Sequence, residues 1–299
     1  LYLGLFGLAL SRLCGVPLAL RIGANYDKSY ETTGKPRQAK LFQARWIEKI
    51  VEQFVFKHAD LVAGANQDNL DFALANGAKP EVSTLFRYGN LIDKQHFVDP
   101  QARLEGQELL EEFSLKPKKF LIFVGRLSEI KYPDHVVKVL AEVRKRGHDL
   151  KAVLVGDGGM RGKLDKLAGE LGVKNQVVFC GNQAQGWLAN VIPLAAVVIS
   201  PHTGRALSEA ALAGVAIVAY DVDWQKELIQ TEVTGELIPN LDWNNMADAV
   251  ERFIINPDYA CAMGNAVRKK ALEMMNPEKL DQHERNTYSK LLISMGSSN

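Results

Sequence analysis

The 299-residue sequence predicts an α/β fold of two doubly wound βα domains. Three observations carry that prediction. Short β-branched and aliphatic runs recur with little polar alternation, as in strands buried on both faces of a parallel sheet. Amphipathic helical stretches separate those runs, which is the grammar of βαβ units. The length suits two domains at about 150 residues each.

Taken in order, the chain opens on LYLGLFGLALSRLCGVPLAL, an apolar stretch interrupted by Arg12. It falls short of the ~18 uninterrupted apolar residues of a membrane span. It also lacks the basic start and small-residue exit of a signal peptide. PLALRIG (17–23) reads as a strand, residues 41–58 as one long helix, DLVAGA (60–65) as a second strand and STLFRYGN (83–90) as a third with its exit loop. On the 41–58 helix, Ile47, Ile50, Val51, Phe54 and Val55 form the apolar face. Residues 91–118 are polar, contain Pro100 and Pro117 and include one short helix near 103–113; they read as the interdomain connection. Five further strands follow in FLIFVG (120–125), KAVLVG (151–156), QVVFCG (176–181), AVVIS (196–200) and AIVAY (216–220). Between them, Val136, Val139, Leu140 and Val143 stand at helical spacing, as do Met160, Leu164, Leu167, Ala168 and Leu171. Asn276-Pro277 opens a last helix running to about Leu292, with proline tolerated at the first helical position.

Composition narrows the function classes. Lys+Arg is 36 and Asp+Glu 35, a net charge of +1, which lacks the basic excess of a dedicated nucleic-acid binder. Cys14, Cys180 and Cys261 are few and far apart, which reads as reduced thiols in a cytosolic protein rather than a disulfide frame. His58, His96, His135, His148, His202 and His283 show no metal-ligand spacing, so no metal is expected. Five of these histidines read as surface or structural; His202 is set apart by its place after a strand.

In doubly wound sheets, ligands bind at the carboxyl ends of strands, so the loops leaving strands are where chemistry is sought. Gly125-Arg126-Leu127 leaves the strand at 120–125, with Lys131 five residues after Arg126 and Pro133 opening a helix. Two cations beside a helix start suit a diphosphate; they read equally well as solvated surface charges. Gly156-Asp157-Gly158-Gly159 is glycine-rich but has Arg161 where a dinucleotide fingerprint needs glycine. It reads first as a tight turn using positive φ, and secondarily as a place of close ligand approach. The most specific segment is Ser200-Pro201-His202-Thr203-Gly204-Arg205-Ala206-Leu207-Ser208-Glu209, where a strand ends and a helix begins near Gly204. Amides at that helix start would face an anion. Glu209 lies among alanine and leucine, and an unpaired carboxylate on a buried helix would be costly.

FLIFVGRLSEIK, KAVLVGDGGMRGKL, VVFCG, the Ser200–Gly214 segment, AIVAYDVDWQKELI and TGELI occur in a fixed order. With ADLVAGANQDNLDFALANGA and RYGNLIDKQHF before them, the sequence resembles retaining glycosyltransferases of the two-Rossmann GT-B architecture, in particular glycosyltransferase family four. The resemblance covers essentially the whole chain. It implies a partial acceptor-side Rossmann-like domain at 1–112, a nucleotide-sugar-binding domain at 113–276, and a C-terminal helix at 277–295 that packs back on the first. It further implies that Arg126 and Lys131 neutralise the donor diphosphate, that amides near Gly204, Arg205 and Ala206 bind its phosphates, and that Glu209 binds the nucleotide ribose. Gly125, Gly156, His202 and Thr203 would complete the donor site. Leaving-group stabilisation by preorganised charge requires no metal and no bound cofactor, the donor being a UDP- or GDP-linked sugar.

Three departures from the family pattern stand out. Counting back eight positions from Glu209, where a paired acid is usual, gives Pro201; His202 or Thr203 would take its place. The acceptor-side histidine usual after a strand like PLALRIG is Gly23, with Asn25 and Asp27 just beyond. A proline usual at the second position after Gly214 is Ala216.

The resemblance therefore implies a hexosyltransferase-type glycosyltransferase of glycan or cell-surface polysaccharide biosynthesis, acting on a saccharide or lipid-linked saccharide. It would be cytoplasmic and peripheral on the cytosolic membrane face. A noncatalytic partner subunit that keeps the fold is the alternative motivated by the missing acid and histidine, and a nucleotide-sugar epimerase is the third. The helix at 41–58, with Lys40, Arg45, Lys49 and Lys57, would suit an anionic membrane surface. Glu48 and Glu52 balance its charge, and an amphipathic domain helix is the simpler reading. Lys116, Lys118 and Lys119 read as a solvated linker. If the two domains match in size, about 56 residues of the first precede Leu1. The stretch 1–12 is then an internal helix, and the 299 residues are expected to be inactive as they stand.

Overall fold

The computed structural model describes residues 2–35, 44–100, 106–202 and 204–296. It falls into two units, Leu1–Asn90 with Met275–Asn299, and Leu91–Met274. The fold is mixed α/β with parallel sheets. Among the described residues, no helix is long and apolar enough to cross a membrane.

The first unit runs α1 (Tyr2–Cys14), β1 (Ala19–Ile22), α2 (Tyr26–Thr33), α3 (Arg45–His58), β2 (Leu61–Gly64), α4 (Gln67–Ala75) and β3 (Ser83–Leu85). Its three strands pair in parallel in the order β1-β2-β3, with Ala19 opposite Leu61 and Val62 opposite Ser83. The apolar opening stretch is α1, which turns Leu8 inward against Leu18, Phe56, Val62 and Phe72.

Helix α3 corrects the sequence reading of its faces. Ile50 and Phe54, assigned to the apolar face, are exposed together with Trp46, while Arg45, Glu48 and Glu52 are buried beside Val55 and Phe56. The reason is an ion network. The Arg45 guanidinium donates to both Glu52 oxygens at 2.8 and 2.6 Å, to Glu48 at 3.3 Å and to Asp27 at 2.8 Å. Buried charges are tolerated when paired in this way. Burial pushes the Glu52 carboxyl above its usual range, outweighing the pull of Arg45. For Asp27 burial is instead outweighed, and Arg45, Asn76 and Lys49 hold its carboxyl low. Sequence periodicity marks apolar residues and has no means of marking a salt-bridged face.

The second unit continues with α5 (Gly106–Glu111), β4 (Phe120–Val124), α6 (Pro133–Lys145), β5 (Lys151–Val155), α7 (Arg161–Glu170), β6 (Val177–Gly181) and α8 (Gln185–Val191). It then runs through β7 (Val197–Ser200), α9 (Arg205–Leu212), β8 (Ile217–Tyr220), α10 (Gln225–Leu228), β9 (Glu236–Ile238), α11 (Trp243–Ile255) and α12 (Pro257–Met274). All six strands are parallel, in the order β6-β5-β4-β7-β8-β9. The chain starts in the middle, winds outward one way and returns to wind outward the other way, so the topological switch lies between β4 and β7.

Both faces of this sheet are covered, which is why its strands read as unalternated apolar runs. Leu121, Phe123, Ala152, Leu154, Val197, Ile199, Val218 and Tyr220 pack with Val136, Val139, Leu140 and Val143 of α6, Leu164 of α7 and Val250 and Phe253 of α11. The alternate residues Phe120, Ile122, Val153, Val198 and Ile217 are equally buried on the opposite face. Helix α12 packs on α9 so closely that a methyl group on Gly264 would lie 2.9 Å from the carbonyl carbon of Gly214. That contact explains a glycine in mid-helix.

Two segments differ from their sequence reading. Residues 91–100 and 106–112 pack with the second unit, which starts at Leu91: His96 is buried with its Nε2 2.8 Å from Gln185 Oε1, and α5 lies against α8. Lys118 is exposed, as a solvated run implies, but is also tied down: its Nζ donates to the carbonyls of Pro193 and Ala195, both at 2.9 Å. Strand β9 and helices α11 and α12 complete the second unit without having been singled out as elements. In α11 the signal was present, with Met246, Ala247, Val250 and Phe253 at helical spacing. The last helix, α13 (Pro277–Gly296), is capped by Asn276, which accepts from the Lys279 amide at 2.9 Å. It belongs with the first unit, pairing Glu284 with Arg21 at 3.2 Å and setting Tyr288 edge-on to Phe86.

Candidate functional site

The switch between β4 and β7 brings two loops together that lie far apart in the chain. The β4 loop carries Gly125, the exposed Arg126, and a single 3-10 turn (Glu129–Lys131) that ends at Lys131. The β7 loop carries Pro201 and His202 and enters α9 at Gly204; Thr203 lies outside the described residues. Lys131 Nζ is 3.2 Å from His202 Nδ1, and a methyl group on Gly204 would lie 3.7 Å from the same Nζ. The lysine ammonium therefore sits at the amino end of α9. An ammonium has only donors, so His202 Nδ1 accepts, which leaves its Nε2 carrying the hydrogen.

The electrostatics favour an anion. Burial pushes Lys131 below the usual lysine range; the Arg126 charge pushes the same way and Asp223 opposes it. The helix adds its own dipole, and the first-turn amides of Arg205 and Ala206 have no intrahelical carbonyl to bond. Gly204 caps α9 with no side-chain bond. One turn in, Glu209 is buried and pairs with Arg205, Oε1 to Nε 2.9 Å, while Arg205 stays largely exposed. The result is a buried carboxylate acceptor behind a cluster of amide and cationic donors. Such a set can hold a diphosphate on its cationic side and a hydroxyl pair at Glu209.

Of the glycines singled out from the sequence, Gly156 has a structural duty. Its φ is +129°, and a methyl group there would strike the carbonyl oxygen of Gly125. The loops after β4 and β5 are stitched together by Gly125 N–H to Val155 O at 2.9 Å and Leu127 N–H to Asp157 O at 3.0 Å. Gly156 thus sets the height at which Arg126 leaves the sheet.

Asn25 and Asp27 lie in the first unit and are committed to local structure. Asn25 caps α2 by accepting from the Lys28 amide at 3.2 Å and donates to Asp68 at 3.2 Å. Asp27 belongs to the Arg45 network. Two residues near the switch were not singled out from the sequence. Asp223 stands in the loop after β8, at a φ of 53°, and supports the charge of Lys131. Gln225 is fully buried; its Nε2 donates to the carbonyls of Tyr220 at 2.9 Å and Ser200 at 3.2 Å, while its Oε1 accepts from Ser200 Oγ at 2.8 Å. It ties the β7 exit to the β8 exit. Both follow the strand AIVAY, and attention to that strand's exit would have found them.

A family model described as glycosyl transferases group 1 matches residues 107–270. An alpha-D-kanosaminyltransferase of Streptomyces kanamyceticus is 29% identical over 257 residues, covering 83% of this chain and 64% of that protein. A GDP-mannose-dependent alpha-(1-6)-phosphatidylinositol monomannoside mannosyltransferase of Mycobacterium tuberculosis is 31% identical over 182 residues, covering 57% of this chain and 46% of that protein. The chain thus spans about half to just under two thirds of the length of these relatives. Among solved structures, Anabaena HepE in complex with UDP superposes with a TM-score of 0.79 at 18% identity, covering 95% of this chain and 75% of that one. That likeness is one of fold, the GT-B architecture.

Proposed function

Because the chain belongs to the glycosyl transferases group 1 family, we propose that it moves a sugar from a UDP- or GDP-linked donor to a saccharide or lipid-linked saccharide, with retention of configuration and no catalytic metal. The observation that carries this reading is the placement of Lys131 Nζ, 3.2 Å from His202 and at the amino end of α9. As the bond from the anomeric carbon to the diphosphate oxygen breaks, negative charge grows on the diphosphate. Lys131, Arg126 and the amides of Arg205 and Ala206 stabilise that charge, and preorganised donors of this kind reorganise little during the reaction. Glu209 accepts from the ribose hydroxyls. His202 presents its Nε2–H to the donor sugar, where the family's paired acid is replaced by Pro201. The GDP-mannose dependence of one relative and the UDP bound to HepE support a nucleotide-linked donor. A lipid-linked acceptor brings contact with the cytosolic membrane face, and the exposed apolar residues of α1 (Leu3, Phe6, Leu10, Leu13) and α3 (Trp46, Ile50, Phe54) support such contact.

Titration calorimetry with UDP and GDP tests the donor site on this chain without requiring turnover. One of the two should bind, and Glu209→Ala and Lys131→Ala should each weaken it about tenfold or more, equivalent to about 1.4 kcal/mol. Failure of both nucleotides to bind refutes the reading. Donor hydrolysis or transfer by the whole protein separates an enzyme from a noncatalytic subunit that keeps the nucleotide site, and the anomeric signal of the product reports retention.

A further inference from the structure

A second concavity lies in the same unit, around the start of α6. It has a volume of about 520 Å³, within the ~300–1,000 Å³ of small-molecule sites. Glu129, Tyr132, Asp134, His135, Lys138 and Trp243 line it, with Met160 and Leu241. The cradle at Lys131 and His202 shares none of these residues.

Two of its walls are held in costly backbone conformations. Tyr132 has φ 49° and ψ 45°, and Leu241 has φ 68°, both in the left-handed region that suits glycine. Tyr132 also occupies the position before α6 where serine, threonine, aspartate or asparagine would cap the helix, and it makes no capping bond. Its ring instead stacks on His135, with centroids 5.3 Å apart and planes 27° apart. Local preference is given up at two residues that line one cavity, as happens at ligand sites.

The polar groups are pre-set as well. The Tyr220 hydroxyl is fully buried, and burial pushes it well above the usual tyrosine range, so it keeps its proton. It lies 2.8 Å from His135 Nδ1 and donates to it, which leaves the hydrogen on Nε2. Burial holds His135 below its usual range and hence neutral. Asp134 stands 3.7 Å from that Nε2 and accepts from Lys138 Nζ at 2.8 Å. The cavity therefore offers two aromatic rings, two carboxylates, an ammonium and a neutral imidazole N–H, with Asp134 paired to Lys138 and Glu129 to Lys163.

We propose that this cavity is a saccharide-binding subsite that takes a neutral pyranose ring. A phosphorylated ligand finds no excess of positive charge here, and a wholly apolar one would strip water from Asp134 and Lys138 without replacing their hydrogen bonds. A pyranose meets both demands. Each hydroxyl donates and accepts, so neighbouring hydroxyls bridge a carboxylate, an ammonium and an N–H together. Its C–H face carries the weakly positive hydrogens that rest on the negative face of an aromatic ring. The assignment rests on the lining alone and holds whether or not the Lys131 cradle binds a nucleotide.

Saturation-transfer NMR tests it with the methyl α-pyranosides of glucose, mannose, galactose and N-acetylglucosamine, each at about 10 mM to match millimolar affinity. At least one should receive saturation from the protein. Its signal should fall about fivefold or more in Trp243→Ala and in Lys138→Ala, with UDP or GDP affinity by calorimetry within about twofold of the parent. If Trp243→Ala fails to fold, the helix-surface variants Lys138→Ala and Asp134→Asn carry the comparison. No transfer to any of the four glycosides, or transfer undiminished in the variants, overturns the assignment. Glycoside binding that is sensitive to Lys138 in a chain that binds neither nucleotide sustains the subsite and refutes the donor reading.

Discussion

Replacing Gly156 by alanine should destabilise the second unit far more than one methyl group ordinarily does. At φ +129° an L-residue is strained, at about 1–3 kcal/mol. The added Cβ would strike the Gly125 carbonyl oxygen and stand 2.9 Å from its carbon, so the loop after β4 must move away. That movement breaks the Gly125–Val155 and Leu127–Asp157 hydrogen bonds, 2.9 and 3.0 Å long. Each contributes ~1 kcal/mol, so with the strain the expected loss is about 3–5 kcal/mol. Urea unfolding followed by tryptophan fluorescence measures it. Gly159→Ala is the matched control in the same turn: nothing lies within 4 Å of its added methyl group and its φ is not in the left-handed region, so its effect should stay within about 0.5 kcal/mol. Because Arg126 follows Gly125, the Gly156 variant should also lose nucleotide affinity. A stability change under about 1 kcal/mol for Gly156→Ala would refute the claim that the two loops are locked by backbone contact.

Two further outcomes follow from buried charge. Lys131 titrates below the usual lysine range, and a bound diphosphate should raise it again; between those two values the complex holds a proton that the free chain lacks. Nucleotide binding in alkaline buffer, as the pH approaches the lysine range from below, should therefore take up protons, and affinity should fall as the pH rises. Calorimetry in two buffers of different ionisation enthalpy detects the uptake, which must vanish in Lys131→Met; uptake that persists in that variant contradicts the assignment. In the first unit, Arg45→Met leaves Glu48 and Glu52 buried without their guanidinium and should cost about 3–5 kcal/mol at neutral pH. A carboxyl whose folded pKa lies above its unfolded value favours folding at low pH and loses that contribution as the pH rises, and Glu52 is already raised. The deficit should therefore shrink as the pH falls from neutral toward the carboxylate range in urea unfolding, and a deficit independent of pH argues against the network.

Much of the second unit's fold was legible. The five apolar runs from 120 to 220 are β4 to β8 to within a residue or two, because strands buried on both faces leave an unbroken apolar signature. The cations Arg126 and Lys131 stand out as candidates because they follow a strand, and Glu209 because its neighbours are alanine and leucine. Less could be read where polarity and burial part company. Glu48, Glu52 and Arg45 look like a solvated face and are buried, while Ile50 and Phe54 look like a core and are exposed. Lys118 looks like part of a solvated run and caps two carbonyls. Gln225 and Asp223 carry no pattern of their own, since their roles arise from what stands opposite them.

The sequence by itself determined the α/β class, the positions of most strands and the loops in which charged residues leave the sheet. Periodicity and turn chemistry are local, and local patterns suffice for those features. Strand order was left to the tertiary structure. Only by placing β7 beside β4 does the chain bring His202 to Lys131, across 71 residues of sequence. The structure likewise decided which charges are buried, and that Tyr132 and Trp243 share a cavity. The physical reason is the same in each case: burial, pairing and proximity are properties of groups remote in the chain, and no window of sequence contains both partners.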